Sequence, residues 1–471
     1  MRSLATALPC LTLLAASCAM AAPRPAAETP PPSIAARGSL FVTDVSIVDP
    51  ASGSTSAPQD ILIEAGKIAT IAPAGTLRAP AGTPSINGAG RFAMAGLIDV
   101  HAHLGEGGVA PADDAARARA LRQFLRYGVT TIFVPGGTGA NDADFTALRE
   151  RCRSDDGACP GLYGSGSLIT APGSHPISTI FNLTVDPPAP AMEAIGVTML
   201  AADADIDALV VAKKAAGVDA IKIIIEDGPP PWRPKPRLTD DQVVRIVAAA
   251  HDHSLPVYAH VSTSDHVRVA LDAGVDGIMH APIEPLPHDL IRRMAEQHMT
   301  LVATFALYDG LVTWARKERE SDPYALAGVE PSAIESLTAP PFLEAAAENE
   351  AGALGYLAKA SENIRRSAAA GVPIALGTDV NNPFVFPGYS AHEELSWMVR
   401  AGLTPAQALH AGAMGGAAML RVSDQIGRLA PGYEADLVLL ARNPLTQIEN
   451  SRSIVAVIAD GLPVADVVAS P

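Results

Sequence analysis

The sequence predicts an α/β protein: a (β/α)8 barrel of the TIM type joined to a small β-sandwich domain built from both chain ends. Three observations lead there. Apolar, β-branched segments alternate with helical ones through residues 96–420. Short strands of alternating polarity, separated by turn dipeptides, occupy residues 39–95 and 421–471. Metal-capable residues recur mostly at the ends of central strands, in the order His101, His103, Lys222, His260, His280 and Asp379.

At the N-terminus, Arg2 precedes an apolar stretch and then small residues, the layout of a secretory signal peptide over residues 1–21. Two cleavage routes are open. Ala19-Met20-Ala21 has the small-x-small pattern, whereas Ala15-Ala16-Ser17-Cys18 resembles a bacterial lipoprotein box that would leave a lipid anchor on Cys18. Either route exports the protein, to the periplasm or as a membrane-anchored lipoprotein, with the Pro/Ala-rich residues 22–38 as a tether. No later segment is long and apolar enough to cross a membrane. Beyond the signal, Cys152 and Cys159 flank a short polar loop. In an oxidising compartment a disulfide between them is expected, with a pair of reduced thiols as the alternative.

With 471 residues, 48% of them hydrophobic, the chain can bury a large catalytic core and a smaller companion. A net charge of −16 argues against a nucleic-acid or anionic-membrane footprint and says more about solubility than about fold. Oligomeric state is open, and a homo-oligomer is compatible.

The first β unit shows Phe41-Val42-Thr43-Asp44-Val45-Ser46-Ile47-Val48 and Asp60-Ile61-Leu62-Ile63-Glu64, with turns at Asp49-Pro50 and Ala65-Gly66. Leu437-Val438-Leu439-Leu440 and Ile454-Val455-Ala456-Val457-Ile458 repeat the style at the other end. Between them, strands are expected at 97–100, 130–134, 161–169, 220–225, 257–260, 277–280, 301–305 and 374–376. Helices are expected at 115–127, 240–253, 264–273 and 345–370. An open doubly wound sheet is the alternative. The metal-capable residues follow the first, fourth, fifth, sixth and eighth strands, and closure brings those ends over one mouth. Residues 307–350, with Tyr308, Trp314 and a charged run at 316–322, form a long connection that reads as a helical lid or a solvated hairpin.

Lys222 lies inside Ala220-Ile221-Lys222-Ile223-Ile224-Ile225, a strand buried on both faces, where an ammonium is costly to desolvate. His101-Ala102-His103 ends a strand, and the period of two places both imidazoles on one face. His251, His253, His266, His288, His298, His392 and His410 lack such a setting and read as structural or solvated.

Gly96-Leu97-Ile98-Asp99-Val100 followed by His101-Ala102-His103 resembles the first-strand signature of the amidohydrolase superfamily, which usually carries proline where this chain has Ala95. The likeness spans nearly all of the chain beyond the tether. It points to the binuclear-metal branch, prolidase-like and imidazolonepropionase-related. It implies that Lys222 is carboxylated by CO2 to a carbamate bridging two divalent ions, Zn2+ or else Mn2+, Co2+ or Ni2+. A Lys222 ion pair with Glu226 is the plainer alternative. By the same likeness His101, His103 and Asp379 hold the more buried ion, and His260 and His280 the more exposed one. Asp379 would also take a proton from the bridging water and pass it to the leaving group. In prolidase-like members a histidine near His175 approaches substrate, so His175 is a substrate contact or a loop anchor. Tyr258, two residues before His260, faces inward as a substrate contact or as packing. Those relatives carry a tyrosine where this chain has Ser262, which weakens transfer of dipeptide specificity.

The expected activity is therefore hydrolysis of an amide or peptide-like C–N bond in a small substrate of dipeptide or N-acyl amino acid type. A lactone or phosphotriester hydrolase on the same site, and a non-catalytic binding homologue, are the alternatives.

Overall fold

The computed structural model describes residues 38–105, 114–136, 141–154, 159–178, 187–228 and 235–468. The signal peptide, Cys10, Cys18, the tether up to residue 37, Gly137-Thr138 and residues 229–234 lie outside them.

The central chain folds into two arcs of parallel strands flanked by helices. One arc is Leu97–Asp99, Val129–Val134 and Gly161–Gly164. The other runs Val197–Met199, Leu168–Thr170, Ile221–Ile224, Val257–His260, Gly277–Met279, Thr300–Val302 and Ile374–Ala375. Between the arcs, Val100 N donates to Leu376 O at 2.9 Å, and Ala102 bridges Val380 in parallel. This is an α/β fold consistent with the predicted barrel.

Strand periodicity decides what faces where. Ile221 and Ile223 pack against helix residues such as Val243, Ile246 and Val267, whereas Ala220 joins the inner cluster of Phe133, Tyr258, Met279 and Val302. Lys222 shares the inner parity. Helix Asp240–Asp252 starts at Thr239, whose side chain forms a reciprocal capping box with Gln242. Thr263 caps helix Ser264–Ala273, which stops at Gly274 in the left-handed region.

The third predicted strand departs from expectation: it is split into Gly161–Gly164 and Leu168–Thr170. Gly166 between them has φ +61, and a Cβ there would lie 2.0 Å from Asp142 Oδ1. The second half pairs with Val197–Met199, a three-residue strand too short to register as a periodic signal. The long connection is helical, with Phe305–Ala315, Pro331–Leu337 and Pro340–Ala369. Trp314 is buried, and the Tyr308 ring stacks on Tyr356 at 3.7 Å.

Both chain ends contribute to one nine-stranded sheet: seven strands run in the order Leu462–Pro463, Ile454–Ala459, Leu437–Leu440, Phe92–Ala95, Leu40–Asp49, Gln59–Glu64 and Lys67–Pro73, and Ser54–Thr55 and Ser85–Asn87 pair with Leu40–Asp49 off that path. The long strand Leu40–Asp49 divides its pairing: Leu40 to Val45 bond Gln59–Glu64, while Ser46 and Ile47 bond Phe92–Ala95. Ala65 and Gly66, at φ 50 and 77, form the tight turn expected there.

Candidate active site

The C-terminal ends of the parallel strands gather five imidazoles and a carboxylate. His101 and His103 leave strand Leu97–Asp99 and meet Asp379, which follows Ile374–Ala375. Asp379 N donates to His101 O and His103 N to Val380 O, each at 2.8 Å. Gly377 makes this approach possible, since a Cβ there would sit 2.7 Å from His101 Cβ. Buried Asp99 anchors the same loop, accepting from Thr378 Oγ1 at 2.6 Å and from His101 N at 3.1 Å.

In this setting Asp379 Oδ1 lies 3.3 Å from His101 Nε2 and 3.1 Å from His103 Nε2, and Oδ2 lies 3.9 Å from His280 Nδ1. The imidazoles continue outward, with ring centroids 4.8 Å apart for His101 and His280, 4.6 Å for His280 and His260, and 4.4 Å for His260 and His175. Backbone strain collects here too: His280, Thr304, Asp379 and Asn381 have φ of 76, 57, 59 and 47, a region that non-glycine residues seldom occupy.

One ring nitrogen is held by a hydrogen-bond partner in three of these rings. His103 Nδ1 meets Gly136 O at 2.9 Å, His280 Nδ1 meets Thr304 Oγ1 at 2.9 Å, and His260 Nε2 meets Glu226 Oε2 at 3.2 Å. For His103 the consequence is sharp. A carbonyl can only accept, so neutral His103 carries its proton on Nδ1 and turns a lone pair at Asp379 Oδ1. A lone pair facing a carboxylate oxygen at this distance requires positive charge between them, a proton or a metal. His101, His103 and Asp379 form a group able to hold a divalent ion.

Burial disfavours the charged form of four imidazoles: it holds His101, His175 and His280 well below the usual histidine range, and pushes His260 down to about 3. Burial alone would raise the Asp379 carboxyl, but His101, His103 and His280 hold it well below the usual carboxylate range. Lys222 is buried, and desolvation pushes its amine down to about 7 against the pull of Asp379. Its Nζ donates to the thioether of Met279 at 2.7 Å. Glu226 serves His260, Ser262 Oγ and Gly228 N instead, so the expected alternative of a Lys222–Glu226 ion pair is not formed among the described residues.

The structure thus brings His101, His103, Lys222, His260, His280, Asp379 and His175 to one region. It does not bring Tyr258. That ring packs edge-on against Phe133 in the inner cluster and its hydroxyl donates to Met419 O, so packing replaces the substrate contact that was its other reading. A second cluster, Glu226, Asp227 and His266, is already closed. His266 Nδ1 accepts from Ser262 N at 3.2 Å, so Nε2 carries the proton and donates to Asp227 Oδ1 at 2.9 Å.

Two residues near the site were not singled out as site residues. Glu226 shares inner parity with Lys222 four residues earlier, a signal that was available. Tyr308 sits close enough that Asp379 and Glu226, after burial itself, push its phenol up to about 12. Its placement depends on a helical connection whose path no local pattern sets.

Residues 92–464 match the sequence model of the amidohydrolase family. The chain belongs to that family. It is an enzyme that hydrolyses carbon–nitrogen bonds. The chain is 26% identical over 390 residues to ochratoxinase from Aspergillus niger, covering 76% of this chain and 71% of that protein. Over 80 residues it is 44% identical to imidazolonepropionase from Anaeromyxobacter sp. (strain K), 16% of this chain and 18% of that one. The fold is similar to that of a Xaa-Pro dipeptidase crystallised with methionine in its active site, with TM-score 0.70 at 23% identity over 90% of this chain and 99% of that one.

Proposed function

We propose that this amidohydrolase binds two divalent ions, Zn2+ in the first instance, and hydrolyses the amide bond of a small carboxylate-bearing substrate of dipeptide or N-acyl amino acid type. The observation that carries this reading is His103 Nε2 held 3.1 Å from Asp379 Oδ1 with its other nitrogen tied to Gly136 O. His101, His103 and Asp379 would hold one ion, and His260 and His280 the other. When bound, the ions supply Lewis acidity toward water and the scissile carbonyl. Asp379 takes the proton of the attacking water and returns it to the departing nitrogen. His175, stacked on His260, contacts the substrate. Lys222, whose amine burial pushes down to about 7, has a substantial neutral fraction near neutral pH and is suited to add to CO2, forming an N–C bond and releasing a proton to give an anionic carbamate that would serve both ions. The likeness to an ochratoxinase and to a Xaa-Pro dipeptidase supports an amide substrate over a lactone or phosphotriester.

Two wider readings go with this one. Counting Gly161–Gly164 and Leu168–Thr170 as one split strand and leaving Val197–Met199 outside, we take the two arcs as one closed eight-stranded barrel and the divided nine-stranded sheet as the sandwich. We also place the enzyme outside the cytoplasm, supported by the Cys152–Cys159 disulfide with Cα atoms 5.4 Å apart.

The test is metal content per purified chain, followed by a screen of dipeptides, N-acyl amino acids, lactones and phosphotriesters. Two ions per chain and amide turnover are expected. One ion after reconstitution with metal and bicarbonate, or turnover of esters alone, would overturn the proposal.

A further inference from the structure

The charged run at residues 316–322 lines a second cavity, of about 380 Å3, between helix Phe305–Ala315, helix Tyr389–Arg400 and the turn Ile448–Arg452. None of the six metal-capable residues lines it. At its centre is a buried polar network. Arg319 donates to Glu393 and to the Tyr389 hydroxyl, lies 3.6 Å from Asp309, and sits over the Tyr389 ring at 4.8 Å.

Apart from Glu318, the carboxylates of this wall are committed. Glu393 also accepts from Ser390 Oγ at 3.2 Å. Asp322 accepts from Tyr324 N, Ala325 N and Tyr389 Oη at 3.0, 3.1 and 3.2 Å. Glu318 stands exposed at the rim. What is left over is donors. Arg319 Nε, Arg452 Nε and Trp397 Nε1 are buried with no acceptor among the described residues. Arg319 itself is only 4% exposed. The guanidiniums of Arg400 and Arg452 rest on the rings of Trp397 and Tyr389, 5.1 and 5.4 Å from their centroids, and meet no carboxylate among the described residues.

Buried donors in surplus on one cavity wall call for an oxygen-rich, negatively charged occupant. Val312, Leu354 and the Trp397 ring add apolar wall, and the volume exceeds what an inorganic oxyanion fills. We propose that this cavity is a second ligand site, outside the metal centre, for a small organic carboxylate whose oxygens face the arginines and whose apolar part lies on Trp397 and Leu354.

Benzoate and inorganic phosphate are titrated separately into the metal-loaded full chain, with saturation-transfer NMR on the ligand and tryptophan fluorescence on the protein. Benzoate is expected to bind, more tightly than phosphate. Arg452→Gln should weaken it at least about tenfold, the scale of one lost charge-assisted hydrogen bond. Leu354→Trp fills the rim from a residue 39% exposed, should block benzoate, and leaves the buried network in place even where Arg452→Gln disturbs folding. Both variants keep wild-type hydrolysis. Benzoate binding unchanged in both would put the ligand at the metal centre and end the proposal. No binding at millimolar benzoate would mean that water alone fills the cavity, and tighter phosphate binding would refute an organic carboxylate.

Discussion

Tyr258 and His260 lie two residues apart on one strand, with the same inward parity, and differ in almost everything else. Around Tyr258 the interior is closed: Phe133, Ala220, Met279 and Val302 pack it, and Met419 O accepts from its hydroxyl. Around His260 the interior is open-ended: His175 and His280 crowd its ring, and elsewhere in the cluster His103 Nε2 faces the Asp379 carboxylate. Polarity alone therefore does not mark a site. The difference is whether the polar atoms of a layer satisfy one another or wait for something to bind. Lys222 spans both layers, with its amine against the lower-layer Met279 and within reach of the Asp379 charge.

The sharpest way to test that contrast is Lys222→Ala. We expect loss of bound metal and of measurable turnover with the fold retained by circular dichroism, and partial rescue by a short carboxylic acid that replaces the carbamate. Two tightly held ions in the variant would refute the bridge. Asp379→Asn keeps the shape but not the base, so kcat should fall by about 10²–10⁴ with KM changing little. Unchanged kcat would remove Asp379 from proton transfer. Glu226→Gln is milder. It leaves a hydrogen-bond partner for His260 but withdraws the charge, and a loss of about 10–100-fold in metal affinity or activity is expected, read by competition with a chelator. Equal affinity would make Glu226 a packing residue.

How much of this could be read beforehand follows from the same contrast. The strand ends bearing His101, His103, Lys222, His260, His280 and Asp379 were legible because a period of two and a position at the end of a buried strand are local properties. The layer to which a residue belongs is not local. Tyr258 falls in the closed layer because Met419, 161 residues later, returns beneath it. Glu226 was legible by parity, yet stood hidden behind the simpler idea that it paired with Lys222. The split at Gly166 and the strand Val197–Met199 depend on a close approach to Asp142 and on three-residue pairing, neither of which leaves a periodic trace.

A perturbed carboxyl far from the mouth sharpens the comparison in another way. Burial pushes Asp436 up to about 8, although Asp460 N donates to its Oδ1 at 2.9 Å. Its ordinary value in the unfolded chain is near 3.8, so the folded state holds the proton more firmly. The stability this contributes is complete below about pH 4 and is lost as pH rises through about 8. Urea unfolding from pH 5 to 9 should show wild type losing stability across that window, and Asp436→Asn losing less. Parallel curves would mean that Asp436 is charged in the fold. A shifted pKa in a sheet remote from the cluster would then be structural, as the closed-layer argument requires.

Tyr258→Phe carries the smallest effect and the cleanest reading. The ring keeps its edge-on contact with Phe133, and the single change is the donor to Met419 O. That carbonyl is left buried without its partner, a cost of about 1–2 kcal/mol that should lower the urea midpoint while leaving its slope alone. Because the hydroxyl points away from the imidazoles, kcat and KM should match wild type for every substrate cleaved. A selective rise in KM would return Tyr258 to the substrate pocket and break the division between the two layers.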